Sequence, residues 1–348
     1  MMTGKNRAAV LTALKTFEFR DVPMPSASDD GIVMKMEAVG VCGSDVHYYA
    51  NGRIGDFVVD FPFILGHECA GIVVEKGKNV QHLNIGDRVA LEPGVPCGTC
   101  EMCRTGHYNL CPDVHFLATP PYDGCLMEYM AFPAAYAYKL PDNISSVEGA
   151  LLEPLAIGIN AAKTGGVSLG DTVLIFGAGC IGLVTLLAAK AFGAKEVIVS
   201  DVVQLRLEKA RELGAVPINS KEQDLQRFIM ERTNNRGVDV VLDCAGFSQT
   251  VASAVRAVRP DGNVIVIGMG TDEWNGIPFG PITSKELHIS SIFRYKNLYP
   301  TAIAAVESGR IDLSGIVSKK FRFEKTPEAY ESAYLHATET VKNVILFD

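Results

Sequence analysis

Four cysteines stand close together in the first third of the chain. Their spacing is Cys-x2-Cys-x2-Cys-x7-Cys in a segment rich in glycine and proline, and the positions are Cys97, Cys100, Cys103 and Cys111. Four thiolates at such spacing match a tetrahedral Zn²⁺ site without an open position, which cross-links a lobe that has little apolar core of its own. Disulfide pairing and a nucleic-acid-binding zinc ribbon are the alternatives. Because the neighbouring charges are mostly acidic, no basic patch supports a ribbon, and the pattern predicts a structural zinc lobe at about residues 92–113.

A second set combines a thiol, an imidazole and carboxylates. Cys42 lies in Gly-Val-Cys-Gly-Ser-Asp, His67 and Glu68 in Gly-His-Glu, and Glu153 in Leu-Glu-Pro. These are ligand types of a catalytic zinc that keeps one position open. Cys42 and Glu68 as anions, with neutral His67, would bring Zn²⁺ to zero net charge. A direct bond from Glu153 would add a negative charge and weaken the Lewis acid, so we expect Glu153 to approach through water or transiently.

Each of these residues also has a structural interpretation when it is taken singly. Cys42 could be a buried apolar thiol, His67 a core histidine with its hydrogen bonds satisfied, and Glu153 an acid at a helix N-terminus. Asp45 is the candidate acceptor for the ring N–H of His67, which would fix the tautomer of a metal ligand.

A glycine-rich turn suggests a dinucleotide site. The turn follows the apolar run 172–176 and precedes a helix-like stretch, and its residues are Gly177, Gly179, Cys180, Ile181 and Gly182. Glycines at these positions allow a tight turn, a close approach of the backbone to pyrophosphate and a close helix–strand contact. A glycine-rich turn without a ligand is the alternative.

An acidic residue lies where the ribose of a dinucleotide would be expected. Asp201 ends the next strand-like run, nineteen residues beyond Gly182. Its carboxylate would accept hydrogen bonds from a ribose diol and repel a 2′-phosphate, which favours NAD over NADP. Arg206 either reaches the adenosine side of NAD or is a solvated helix charge.

The chain divides into two regions with different residue patterns, and the elements of these regions must position the residues named above. Up to about residue 155, short alternating runs such as 32–38 and 70–75 are interrupted by Gly and Pro, as in an irregular β domain. From about residue 171, strand-like runs (173–176, 197–200, 238–242, 264–268) alternate with helix-like ones (183–192, 203–213, 222–231, 249–258). This alternation predicts an α/β domain with a doubly wound parallel sheet. A helix-like stretch at 298–308 and an apolar run at 341–347 could belong to either domain.

Length and charge exclude several classes of protein. The 348 residues suggest two domains, and the net charge of −8 with interspersed signs argues against nucleic acid or an anionic membrane as the partner. The longest uncharged stretch, 172–189, is interrupted by three glycines, and no secretory signal is visible. We therefore expect a cytoplasmic protein, in which cysteines are thiols or metal ligands.

Together these blocks resemble the zinc-dependent medium-chain dehydrogenases, and the resemblance covers essentially the whole chain. Three further segments resemble the polyol branch, typified by the sorbitol (L-iditol 2-) dehydrogenases: 47–55, 116–119 and 293–295. The family implies a GroES-like β-rich catalytic domain at 1–155 and 296–348, which carries the zinc lobe. It also implies an inserted Rossmann NAD-binding domain at 156–295, an active site in the cleft between the domains, and usually a homotetramer.

The resemblance also implies roles for individual residues. Cys42, His67 and Glu68 would hold a catalytic zinc with Glu153 beside its water, and the four lobe cysteines would hold a second zinc. Ser44 and Tyr48 would lie near the reacting hydroxyl, Phe116 and Thr119 would shape the pocket, and Arg294 and Tyr295 would bind substrate hydroxyls or an inter-domain water network. So many polar groups suit a polyhydroxylated substrate better than a simple alcohol. Arg294 as a subunit-interface charge and Phe116 as a core residue are the structural alternatives.

The predicted reaction is NAD-dependent oxidation of a sugar alcohol at C2 to the 2-ketose, as from sorbitol to fructose or from xylitol to xylulose. Zinc would polarise the C2 oxygen, and Ser44 with a water chain would take the proton. Threonine or 2,3-butanediol are alternative substrates. A non-catalytic NAD- and zinc-binding redox sensor is a further alternative, but a sensor does not need a proton relay such as Ser44.

Overall fold

The polypeptide crosses four times between two units in the computed structural model, which describes residues 5–270 and 273–347. The first unit comprises the chain up to Glu153, Tyr299–Ser308 and the segment from Val317 onward; the second comprises Pro154–Leu298 and Gly309–Ile316. The sequence predicted boundaries after residues 155 and 295. The structure differs from that division chiefly in grouping Gly309–Ile316 with the second unit.

The first unit is rich in β-strands, as predicted. The strands of its N-terminal part are β1 (Asn6–Ala13), β2 (Thr16–Val22), β3 (Gly31–Gly40), β4 (Arg53–Ile54), β5 (Phe57–Val58), β6 (Phe63–Ile64), β7 (Glu68–Lys76), β8 (Arg88–Leu91), β9 (Gly94–Val95), β10 (His115–Phe116), β11 (Tyr129–Pro133) and β12 (Ala137–Lys139). Helices α1 (Gly43–Asn51) and α2 (Glu101–Arg104) lie between them. Helix α3 (Ser146–Ala150) follows β12, and α4 (Leu152–Thr164) leads into the second unit.

The second unit is a parallel sheet with helical crossovers. Its elements in chain order are β13 (Thr172–Phe176), α5 (Cys180–Ala191), β14 (Glu196–Asp201), α6 (Gln204–Glu212), β15 (Val216–Asn219), α7 (Leu225–Arg232), β16 (Val238–Asp243), α8 (Ser248–Ala257), β17 (Val258–Val266), α9 (Phe279–Ser284) and β18 (His288–Ser291). The strand order is β15-β14-β13-β16-β17-β18, and every pairing is parallel. This is the dinucleotide-binding order 3-2-1-4-5-6, which confirms the predicted doubly wound sheet.

The C-terminal segment returns to the first unit. It contains α10 (Tyr299–Glu307), β19 (Val317–Arg322), α11 (Thr326–Leu335) and β20 (Lys342–Leu346). Strand β20 pairs antiparallel with β3 and parallel with β19, in a sheet of order β12-β8-β7-β3-β20-β19. The apolar run at 341–347, which the sequence could assign to either domain, therefore completes the sheet that carries the N-terminal strands.

Each unit has its own apolar core. Leu11, Met34 and Leu91 are fully buried in the first, and Leu174 and Val241 in the second. None of the helices in the described part of the chain has the length and apolar content needed to cross a membrane.

Candidate active site

The register of two neighbouring strands brings the predicted zinc ligands together. Cys42 lies two residues after Gly40, the last residue of β3, and His67 directly precedes Glu68, the first residue of β7. Because β3 and β7 are antiparallel with Gly40 opposite Glu68, the end of one strand lies beside the start of the other. The Cys42 sulfur, a ring nitrogen of His67 and a carboxylate oxygen of Glu68 consequently lie within 4.8 Å of one another.

Polar groups from the first turn of α1 surround this cluster. Oδ1 of the fully buried Asp45 lies 3.3 Å from Nδ1 of His67, within ion-pair distance, although neither atom makes a hydrogen bond there. The Ser44 hydroxyl donates to the Cys42 sulfur at 3.3 Å. With the Asp45 carboxylate on the Nδ1 side of the ring, Nε2 can be offered to a metal.

The charges of the cluster fit a divalent cation. Burial lowers the pKa of His67, but the Asp45 carboxylate and the Cys42 sulfur outweigh burial, and the pKa of His67 lies well above its usual value. The pocket around His67 is therefore rich in negative charge, which a cation would compensate. Thiolate, imidazole and carboxylate together are a donor set suited to Zn²⁺.

A residue that the sequence analysis missed also contacts the cluster. Lys342, the first residue of β20, places Nζ 2.7 Å from both carboxylate oxygens of Glu68. The only sequence signal was a lysine at the start of an apolar strand. The charge count made from the sequence omitted this cation.

The other predicted pocket residues of the first unit are mostly buried. The Phe116 ring lies 5.6 Å from the imidazole of His67, centroid to centroid, and the amide of Thr119 donates to the Phe116 carbonyl oxygen. Tyr48 is buried on α1 against Phe63. Glu153 is buried in the first turn of α4 and is not one of the three ligands grouped within 4.8 Å.

The four lobe cysteines converge as the spacing predicted. They flank and enter α2 and the short helical turn that ends at Leu110, and their sulfur atoms lie within 4.8 Å of one another. The Cys100 amide donates to the Cys97 sulfur at 3.3 Å. Hydrogen bonds from the Thr99 backbone and hydroxyl lower the pKa of Cys97 to about 6. Burial raises the pKa of Cys103 to about 12 and also raises that of Cys111, so a bound cation such as Zn²⁺ would be needed to hold all four as thiolates.

The glycine-rich turn has the shape that a pyrophosphate needs. Gly177 has a φ of +87°, and a β-carbon on Gly182 would lie 1.9 Å from the Gly177 carbonyl oxygen. A β-carbon on Gly179, by contrast, would have no neighbour nearer than Nη1 of Arg206 at 4.0 Å. The backbone at Gly179 is therefore open to a ligand, with a guanidinium close by. Cys180 and Ile181 begin α5 immediately after it.

Backbone amides hold the carboxylate at the end of β14. Oδ2 of Asp201 accepts from the Ala178 amide at 2.6 Å, and Oδ1 accepts from the amides of Val202 and Val203 at 2.6 and 2.9 Å. Asp201 is thus fixed beside the turn, and its binding of a ribose stays a prediction.

Arg294 and Tyr295 belong to the second unit, after β18. Arg294 has a φ of +55°, and its carbonyl oxygen accepts from the Asn160 side chain at 2.9 Å. Its guanidinium carbon lies 4.8 Å from the centre of the Phe293 ring. Tyr295 is buried. Asn160, which the sequence analysis did not single out, therefore anchors the strained backbone that presents Arg294.

Comparison with known proteins identifies the family. Residues 28–142 match the family model described as "Alcohol dehydrogenase GroES-like domain", and residues 180–308 match "Zinc-binding dehydrogenase". A sorbitol dehydrogenase of Bacillus subtilis (strain 168) is 44% identical over 342 residues, which cover 97% of this chain and 96% of that protein. An L-idonate 5-dehydrogenase of Vitis vinifera is 40% identical over 336 residues, covering 94% and 92%.

A solved structure shows the same fold throughout. An oxidoreductase/dehydrogenase of Escherichia coli, described as of unknown specificity and involved in membrane biogenesis, superposes with a TM-score of 0.95 at 40% identity, over 99% of this chain and 100% of that one. Sequence, fold and ligand geometry thus agree, and the chain belongs to the zinc-dependent medium-chain dehydrogenases, in their polyol branch.

Proposed function

We propose that this protein oxidises a sugar alcohol at C2 to the 2-ketose, with NAD as the hydride acceptor and a catalytic zinc held by Cys42, His67 and Glu68. The observation that carries the proposal is the grouping of these three ligand atoms within 4.8 Å. The substrate class rests on the similarity to sorbitol dehydrogenases over nearly the full chain. When bound, the zinc would supply a Lewis acid that lowers the pKa of an alcohol.

The chain's own residues would organise the proton transfer and the pocket. Ser44 is the proposed first proton acceptor, supported by its hydroxyl 3.3 Å from the Cys42 sulfur. Tyr48 would lie near the reacting hydroxyl. Phe116 and Thr119 would bound the pocket and exclude water, in line with the contact between the Phe116 and His67 rings. Glu153 would act beside the metal through water.

The second unit would bind the dinucleotide at the carboxyl ends of β13 and β14. Gly177, Gly179 and Gly182, with the first residues of α5, Cys180 and Ile181, would receive the pyrophosphate. Asp201 would accept from the ribose hydroxyls, and Arg206 would add a positive charge beside Gly179. A carboxylate at this position supports NAD over NADP.

Arg294 and Tyr295 would bind the hydroxyls of the substrate away from the reacting carbon. A guanidinium and a phenol are donors that a polyhydroxylated substrate satisfies and a simple alcohol leaves unpaired. The hydrogen bond from the Asn160 side-chain amide to the Arg294 carbonyl oxygen supports this role because it fixes the backbone at Arg294.

We also propose a homotetramer in the cytoplasm. Exposed residues on the edge strand β18 support assembly. None of the nine cysteines, all within the described residues, forms a disulfide, which is consistent with a reducing compartment. Light scattering should give a native mass four times the 37.5 kDa subunit. A monomer or dimer under the same conditions would contradict the tetramer.

The decisive experiment measures NADH formation from a panel of alcohols by protein whose zinc content is known. The panel contains sorbitol, xylitol, galactitol, L-idonate, threonine, 2,3-butanediol and ethanol. Turnover confined to C2 oxidation of polyols supports the proposal, and the best substrate names the preference. A chain that oxidises L-idonate better than every polyol would share the activity named for the grape relative instead. Failure on every polyol with zinc and NAD bound would refute the proposal, and Cys42→Ser gives the metal-site blank.

A further inference from the structure

A buried lysine is bonded to the carboxylate of the proposed zinc ligand Glu68. Nζ of Lys342 lies 2.7 Å from Oε1 and 2.7 Å from Oε2 of Glu68, and it donates to the Val41 carbonyl oxygen at 3.1 Å. The Lys342 side chain is 3% exposed and that of Glu68 is 1% exposed. An ammonium has three hydrogens, and these three acceptors can take all of them.

The pair reaches across an intervening strand. Glu68 is on β7 and Lys342 on β20, and β3 lies between those two strands. Gly40 of β3 is paired with Glu68 on one side and with Val344 of β20 on the other. A β-carbon on Gly40 would lie 2.1 Å from Oε2 of Glu68. The carboxylate therefore passes over β3 at a position where only glycine leaves room.

This contact changes the charge of the zinc site. A buried carboxylate without a partner is costly, and a buried ammonium within hydrogen-bond distance offsets its charge. Zn²⁺ with the Cys42 thiolate and the Glu68 carboxylate alone would be neutral. Lys342 adds one positive charge, which offsets the buried Asp45 carboxylate 3.3 Å from His67, so the buried group as a whole stays neutral.

We propose that Lys342 is a positioning residue of the zinc site. It holds the Glu68 carboxylate across Gly40 and offsets its charge, so that Glu68 binds the metal weakly and the buried group, with Asp45 included, stays neutral. This inference rests on the proposed catalytic zinc at Cys42, His67 and Glu68.

The test measures metal affinity rather than turnover. In Lys342→Gln the glutamine amide can still donate to Glu68, but the positive charge is gone. Because the uncovered anion attracts the metal, the zinc dissociation constant of this site should fall roughly tenfold or more. Competition with a chelator, combined with a measurement of bound zinc per chain, gives the dissociation constant. The zinc ion that Cys42→Ser no longer binds is the one that belongs to this site. With Co²⁺ in place of zinc, the visible absorption bands should shift as Glu68 binds more tightly.

Two comparisons separate this role from a structural one. Lys342→Arg keeps the charge and should keep zinc affinity within roughly threefold of wild type. The increase in zinc affinity caused by Lys342→Gln should be several-fold smaller when Glu68 is also replaced by Gln. The Glu68 carboxylate, whose charge Lys342 offsets, is absent from that double variant. If Lys342 only tied β20 to β7, both Lys342 variants would lower the melting temperature and leave the affinity and the Co²⁺ bands unchanged.

The outcomes also distinguish this inference from the proposed function. Wild-type affinity and unchanged bands in Lys342→Gln would overturn the role of Lys342 while the zinc site stands. If wild-type protein and Cys42→Ser bind the same number of zinc ions per chain, the proposed zinc site at Cys42, His67 and Glu68 is refuted. Should Lys342→Gln purify only with zinc present, a larger zinc-induced rise in melting temperature than in wild type would still support the inference.

Discussion

At the scale of single residues, two glycines of the nucleotide turn, Gly179 and Gly182, have opposite surroundings. Substituting them should therefore affect NADH binding and protein stability separately. A β-carbon on Gly182 would lie 1.9 Å from the Gly177 carbonyl oxygen, whereas the space at Gly179 is open. Gly182→Ala should therefore destabilise the second unit by about 1–3 kcal/mol, because the backbone must shift. Gly179→Ala should leave the free energy of unfolding nearly unchanged but weaken NADH binding roughly tenfold or more, because the methyl group occupies the place of the pyrophosphate.

Denaturant unfolding and fluorescence titration with NADH measure the two quantities. Gly280→Ala is the matched control, since a β-carbon on Gly280 has no neighbour within 4 Å and the residue is outside the turn. Unchanged NADH affinity in Gly179→Ala would mean that the pyrophosphate does not bind at this turn.

The residues that sequence reasoning found and missed differ in how local their signals are. The motifs around Cys42, His67 and Gly177 are runs of neighbouring residues whose chemistry can be inferred without the fold. Lys342 bonds to Glu68 across 274 positions of the sequence, so only the order of strands reveals the contact. Nothing near Gly40 in the sequence shows that a carboxylate must pass over it.

At the scale of elements, a strand could be predicted from the sequence only where its own residues carry a clear local signal. The inner strands of the parallel sheet were predicted because they are buried on both faces and appear as apolar runs. Strands β15 and β18 were missed. They are the two edges of the sheet, four residues each and partly exposed, so neither produces such a run.

One carboxylate ties three adjacent strands of that sheet together. Asp239 of β16 accepts from the Thr172 amide of β13 at 2.9 Å and from the guanidinium of Arg259 of β17 at 2.9 Å, and it also pairs with Arg236. Burial raises the pKa of Asp239, but the hydrogen bonds from Arg236, Thr172 and Arg259 outweigh burial and lower it. A lowered native pKa means that the ionised carboxylate stabilises the folded state above the ordinary carboxyl range, and that this stabilisation is lost as the pH falls through the native value.

Asp239→Asn should accordingly lower the free energy of unfolding by about 1–3 kcal/mol at neutral pH. The difference from wild type should narrow as the pH falls from about 4 through the lowered native pKa of Asp239, because the wild-type carboxylate then becomes protonated as well. Urea unfolding at several pH values checks this. The control is Asp261→Asn, whose side chain is 75% exposed. A difference that stays constant down to acid pH would show that the charge of Asp239 is not what stabilises the sheet.

The zinc lobe is attached to the first unit by a second buried carboxylate. Glu92 accepts from the Tyr108 hydroxyl at 2.6 Å and from the Tyr138 hydroxyl at 2.9 Å. Tyr108 lies between two of the lobe cysteines. Removing its hydroxyl in Tyr108→Phe should release the structural zinc several-fold faster, because one anchor of the lobe is lost, and should cost about 1 kcal/mol of stability. Zinc release to a colorimetric chelator measures the rate, and an unchanged rate would show that the lobe is held by its metal alone.

At the scale of the whole molecule, the metal-binding clusters and the dinucleotide turn lie in different units. Within the described residues, both metal-competent clusters belong to the first unit, and the dinucleotide turn belongs to the second. The first unit is assembled from both ends of the chain, since β20 supplies an inner strand beside β3. The C-terminal segment thereby brings Lys342 to Glu68 of the proposed zinc site.

This division predicts that metal and dinucleotide stabilise different parts of the chain. The aromatic residues make the test direct, because ten of the 11 tyrosines, all but Tyr295, belong to the first unit and the single tryptophan, Trp274, to the second. Metal chelation should lower the melting temperature seen by tyrosine near-ultraviolet circular dichroism more than that seen by tryptophan fluorescence, because zinc binding contributes folding free energy to the first unit. NADH at about 100 times its dissociation constant should raise the tryptophan-detected melting temperature by about 5–10 °C. If chelation shifts both signals equally, the units unfold as one cooperative block and the metal sites stabilise the whole chain.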